Sequence, residues 1–169
     1  MATRFIQEQL PNGLKIIIEV MPNVQSAACG FLSKTGSRDE TPALAGASHF
    51  LEHMCFKGTH HRTWHDINVE FDLMGSTYNA FTTKDRTFYY GWVRAEDVER
   101  QMTLIADMMR SALPPEEFDM EKNVVLEEIA MSSDQLDQLA YHLLHEKVYA
   151  GSSMAWPVLG YEAALKELT

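Results

Sequence analysis

Ala43-Leu44-Ala45-Gly46-Ala47-Ser48-His49-Phe50-Leu51-Glu52-His53-Met54-Cys55-Phe56-Lys57-Gly58 is the stretch that decides how the rest of the chain is read. Ala43, Leu44, Ala45, Ala47, Phe50, Leu51 and Met54 are good helix or core formers, and Lys57-Gly58 fits a helix stop, so one helix is expected over residues 43–57. His49 and His53 are four positions apart inside it. On a helix such residues lie one above the other on the same face, where two imidazoles can share one metal ion. Zinc suits that arrangement, because its tetrahedral site accepts histidine nitrogen and carboxylate oxygen. Glu52 flanks the same face and can reach a water on the metal without displacing either histidine.

On the N-terminal side, residues 4–10 and 14–20 read as two strands joined at Pro11-Asn12-Gly13, which is strong turn chemistry. Residues 26–35 are a third strand candidate, closed by Gly36. On the C-terminal side, a helix is expected over residues 64–74, then strands over 77–83 and 86–93 around the short connection Lys84-Asp85. From Ala95 the pattern is helical. Val98, Met102, Ile105 and Met109 recur at helical spacing as one apolar stripe. Leu113-Pro114-Pro115 breaks it, and a long helix begins near Glu116 with acidic residues in its first turn. Further helices are expected over 135–148 and 162–168. Strands, helix, strands, helices is an α+β order rather than a βαβ repeat.

At 169 residues the chain is long enough for one domain with a real core. No apolar run approaches the ~20 residues that cross a bilayer, so no membrane partner is expected. A net charge of -10 argues against nucleic acid, whose phosphates demand a basic surface. The opening residues lack the apolar core of a signal peptide, and the expected compartment is the cytoplasm of a bacterium, or the mitochondrial matrix if a transit peptide has been removed. Cys29 and Cys55 are too few for a disulfide framework and are expected as buried thiols. Cys55 lies two residues past His53, a turn of roughly 200°, so it faces away from the ligand face.

His49-Phe50-Leu51-Glu52-His53 is the inverted zincin signature, His-x-x-Glu-His. It implies hydrolysis of a peptide bond by water that zinc activates, with Glu52 as general base. A third ligand is still needed. The helix after Glu116 offers Glu121, Glu127 and Glu128; Glu121 and Glu128 are seven apart and share a face with Val124 and Val125. One could ligate and the other support a ligand from behind, while Glu127 points about 100° away. Spacing leaves open whether all three are simply surface acids.

Longer matches carry a resemblance. Leu10-Pro11-Asn12-Gly13-Leu14, Lys34-Thr35-Gly36-Ser37-Arg38-Asp39-Glu40, the metal helix with Lys57-Gly58-Thr59, Asn79-Ala80-Phe81-Thr82, the run from Glu121 to Glu128, and Trp156-Pro157-Val158-Leu159-Gly160 appear in that order. In these the sequence resembles the pitrilysin/insulinase family of zinc metallopeptidases, and within it the shorter bacterial members and the β subunit of the mitochondrial processing peptidase. The resemblance implies an α+β fold with a mixed, largely antiparallel sheet and helices packed on it. It implies His49, His53 and Glu128 as zinc ligands, Glu52 as base and Glu121 as the supporting carboxylate. Asn79, Ala80 and Phe81 would present backbone to an extended peptide substrate by strand addition. Family members pair two related domains around a chamber. Residues 1–169 match most of the first, stopping before its last strand, so a second homologous domain or subunit is an expected partner. The alternative is a non-catalytic partner or scaffold subunit of the same fold, or a fragment inactive without its second domain. A purely structural zinc fits less well, since such sites use four protein ligands and more cysteine.

His60, His61 and His65 near the metal helix, and His142 with His145 further on, are expected to be solvated or packed rather than ligands. The ten methionines are expected mostly as adaptable core filler.

Overall fold

The structure is a computed structural model that describes residues 3–169. Strands β1 (Arg4–Gln9) and β2 (Lys15–Val20) form an antiparallel hairpin, with Arg4 opposite Val20 and Gln9 opposite Lys15. Its turn uses Gly13 at φ 89°, a left-handed conformation that glycine adopts without steric cost. Strands β3 (Ser26–Ser33), β4 (Thr77–Thr82) and β5 (Thr87–Arg94) form a second antiparallel sheet in the order β3-β5-β4. All three strand pairings are antiparallel. β4 is thus an edge.

Strand period 2 sorts the side chains of β5. Thr87, Tyr89, Gly91 and Val93 are buried, while Phe88, Tyr90 and Trp92 stand on the other face. The buried face packs on helices α2 (Trp64–Leu73) and α3 (Val98–Met108), in a core of Ile67, Phe71, Met74, Tyr89, Val93, Leu104, Ile105 and Met108. A second core joins α1 (Ala47–Met54), α4 (Pro115–Asp134) and α6 (Glu162–Glu167) through Phe50, Met54, Val125 and Leu165. Helix α5 (Leu136–Val148) follows α4 directly.

Three sequence expectations shift. The helix bearing His49 and His53 is shorter than residues 43–57. Pro42–Leu44 form a 3-10 turn, and Gly46 at φ 100° breaks the backbone before α1 begins at Ala47. The reason is a close approach: a Cβ on Gly46 would lie 2.7 Å from the Leu159 carbonyl oxygen, and one on Gly160 would lie 2.2 Å from that of Ala45. The buried stripe of α3 also runs one step round from the expected one, through Gln101, Leu104, Ile105 and Met108, leaving Met102 exposed. Gln101 hides this in the sequence because it reads as polar. The Ser76 hydroxyl donates to its Oε1, and its Nε2 donates to Cys29 Sγ at 3.4 Å, so its burial is satisfied. Cys29 and Cys55 are free thiols, half-buried rather than fully buried.

Candidate metal centre

Helix α1 starts on a carboxylate. Glu40 accepts from the Gly46 N–H through Oε2 and from the Ser48 N–H through Oε1, both at 2.7 Å. A negative charge here satisfies orphan donors and complements the helix dipole. Phe50 and Met54 then anchor the helix in the second core. That leaves His49 and His53 on the flank facing α4, where Glu121, Val125 and Glu128 follow one another at i, i+4 and i+7. Val125 is fully buried and Glu121 is 5% exposed, while Val124, expected to share that face, is exposed.

Glu128 Oε2 lies 3.7 Å from His49 Nε2 and 3.6 Å from His53 Nε2. Ligand atoms of these three residues all fall within 4.8 Å of one another. Each histidine–Glu128 pair, about 3.6 Å apart, would subtend roughly 120° at an ion about 2.1 Å from both atoms, close to what a four-coordinate zinc accepts. The donor set, two imidazoles and one carboxylate, is that of zinc sites that keep a position open. The residues therefore fit zinc. Glu127 is exposed and stands apart from the group.

Each imidazole is held differently. His53 Nδ1 lies 2.7 Å from Glu121 Oε1. An ionised carboxylate only accepts, so Nδ1 donates to it, and Nε2 is the ring nitrogen that faces Glu128. Glu121 Oε2 pairs with Lys57 Nζ at 2.5 Å. Burial pushes the Glu121 carboxyl up, but the hydrogen bonds from Lys57 and His53 outweigh it and leave it below the ordinary carboxylate range. His49 is held by burial, at 8% exposed, and its Nδ1 has no partner among the described residues. Burial, then the neighbouring His53, lower its pKa to about 4, so the ring is neutral at pH 7 as ligation requires.

Glu52 is also 8% exposed. Burial raises its pKa, and the Thr82 hydroxyl, donating to Oε2 at 2.5 Å, works against that rise. Thr82 lies 3.4 Å from the Thr87 hydroxyl, which donates to the Thr35 carbonyl at 3.0 Å. Sequence reasoning missed Glu40, Lys57 and Thr82 as neighbours of the site. Only Glu40 left a trace, as an acidic residue ahead of the helix.

His49, Glu52, His53 and Glu128 line a cleft of about 1090 Å³. Ala80, Phe81 and Thr82 of the edge strand form one wall, α5 residues including Tyr141, His142 and His145 another, and the loop from Pro157 to Gly160 a third. Asn79 is next to this wall but does not line it; its Oδ1 accepts from the Ala80 N–H at 2.8 Å. His60, His61 and His65 are exposed and stand outside the ligand group. No helix among the described residues is long and apolar enough to cross a membrane.

Similar proteins carry the same description. A protein of Streptomyces coelicolor named an uncharacterized zinc protease is 41% identical over 161 residues, covering 95% of this chain and 35% of the relative. The uncharacterized zinc protease YmxG of Bacillus subtilis is 43% identical over 155 residues, covering 91% of this chain and 38% of the relative. Among solved structures, a protease from Helicobacter pylori superposes with a TM-score of 0.93 at 25% identity, over 99% of this chain and 41% of that one. A protein from Alicyclobacillus acidocaldarius named a "putative M16-like peptidase" superposes with a TM-score of 0.88 at 26% identity, over 100% of this chain and 41% of that one. The chain thus spans roughly two fifths of the length of the relatives it matches. With residues 15–162 matching the family's sequence pattern, it belongs to the Insulinase (Peptidase family M16) family.

Proposed function

We propose that the chain is the metal-bearing domain of a zinc metalloendopeptidase. His49, His53 and Glu128 would hold the ion, Glu52 would act as base, and Glu121 would support His53 from behind. The observation that carries this is the convergence of His49 Nε2, His53 Nε2 and Glu128 Oε2 beside a buried carboxylate, in the lining of an open cleft. Zinc, when bound, supplies Lewis acidity to a peptide carbonyl and to water. Glu52 takes a proton from that water at one carboxylate oxygen while Thr82 holds the other, and returns it to the leaving amine. Burial favours its protonated form, which suits a group that must both take and release a proton.

The edge strand sets the substrate. In the β4–β5 ladder Thr83 N–H reaches the Arg86 carbonyl at 2.8 Å, and alternation turns the N–H and C=O of Ala80 and Thr82 away from β5. An extended peptide adding along Asn79, Ala80 and Phe81 would displace the Asn79 side chain from the Ala80 N–H and run past the metal ligands. Substrates are therefore peptides or unfolded segments, and a second homologous domain or subunit would close the cleft over them.

The test is cleavage of unfolded casein by the zinc-loaded protein beside E52Q. E52Q should keep its zinc and lose at least about a hundredfold in kcat. Equal cleavage by both proteins would remove Glu52 from the chemistry.

A further inference from the structure

Glu121 is 5% exposed, and each of its oxygens has one partner. Oε1 faces His53 Nδ1 at 2.7 Å, and Oε2 faces Lys57 Nζ at 2.5 Å. Among the described residues no other cation contacts this carboxylate. Lys122, its sequence neighbour, is turned away and donates to the Leu168 carbonyl at 2.6 Å. Lys57 is the third residue beyond α1, held there by its N–H to the Met54 carbonyl at 3.1 Å and followed by Gly58 at φ 141°. The helix exit therefore folds an ammonium back onto the carboxylate that orients a residue of the same helix.

We propose that Lys57 is a positioning residue for the metal ligand His53, acting through Glu121; the inference rests on the metal-site reading given above. A buried carboxylate left without its ammonium partner carries an uncompensated charge. It relieves that charge by turning toward water. It then stops being the fixed acceptor for His53 Nδ1–H. The ring then flips or exchanges tautomer, and Nε2 no longer offers its lone pair at the point where His49 and Glu128 converge. Lys57 blocks that escape: its contact at Oε2 holds the carboxylate and fixes the plane in which Oε1 meets the imidazole. Partners behind a metal ligand commonly govern metal affinity in this manner.

Two readouts on the parent chain, K57M and K57R test this, and neither depends on catalysis. The first is zinc affinity by competition with a chelator. K57M should bind zinc about 10- to 100-fold more weakly than the parent, with K57R recovering most of the loss. The second is the two-bond proton–nitrogen NMR spectrum of the histidine rings in the metal-free chains, with the His53 signals identified by their absence in H53Q. The parent and K57R should show His53 as one tautomer protonated at Nδ1, and K57M should show a mixture. Unchanged His53 signals in K57M with zinc affinity within about twofold of the parent would overturn the proposal. If the parent binds no zinc, the metal-site reading fails, and the tautomer comparison alone decides the role of Lys57. If K57M does not fold, K57Q removes the same charge and takes its place in both measurements.

Discussion

Thr82 is the residue whose role the geometry adds most directly to Glu52. Its hydroxyl reaches Glu52 Oε2 at 2.5 Å across thirty residues of sequence. A base that must present one oxygen to water gains from having the other fixed. T82V keeps the shape and removes the donor, so kcat should fall about tenfold to a hundredfold with KM and zinc content unchanged, while T82S keeps most of the activity. Steady-state kinetics beside metal analysis check this. The grouping of His49, Glu52 and His53 was legible in the sequence because helical spacing alone puts them together. Glu128 was left level with surface acids by spacing, and was singled out by the resemblance. In the fold its Oε2 lies 3.7 Å and 3.6 Å from the Nε2 atoms of His49 and His53, whereas Glu127 is exposed. Thr82 and Lys57 were not legible as neighbours of the site, because side-chain contacts between elements leave no period in a sequence.

At the scale of elements, the exit of α1 is tied down by charge. Arg62 bonds Glu70 of α2 at 2.8 Å and Asp107 of α3 at 2.7 Å, and the Thr59 hydroxyl also donates to Asp107 at 2.7 Å. Burial pushes the Asp107 carboxyl up, but Thr59 and Arg62 more than reverse this, and its pKa in the folded chain lies below the ordinary 3.8. A depressed carboxylate pKa stabilises the fold above the unfolded value and loses that contribution as pH falls through the folded one. The gap in melting temperature between the parent and D107N should therefore be full at pH 7, hold down to about pH 4, and shrink below it. A gap that grows on acidification would contradict the ion-pair account. Most elements were legible from hydrophobic period and turn residues, β5 and α4 above all. The start of α1 was not, because Ala43, Leu44 and Ala45 are good helix formers overridden by a tertiary contact at Gly46.

The molecule as a whole closes where its two distant loops meet. Gly46, at the start of α1, and Gly160, in the loop that lines the cleft, bring their backbones close enough that neither has room for a side chain. Gly160 also sits at φ 81°. G160A should cost on the order of 2 kcal/mol or more by urea denaturation, from left-handed strain together with the collision at the Ala45 carbonyl. A change below about 0.5 kcal/mol would mean that the loop is not held on the helix. The α+β class followed from element order alone, whereas this closure joins residues more than a hundred positions apart and could come only from the fold. All of these elements converge on one claim, that α1 and α4 build a single zinc site. The measurement that tests it most directly is metal content by mass spectrometry on the parent, H53A and E128Q after incubation with excess zinc and desalting. The site predicts about one zinc per parent chain and loss of it in both variants. A parent without zinc, or variants that retain it in full, would contradict the site.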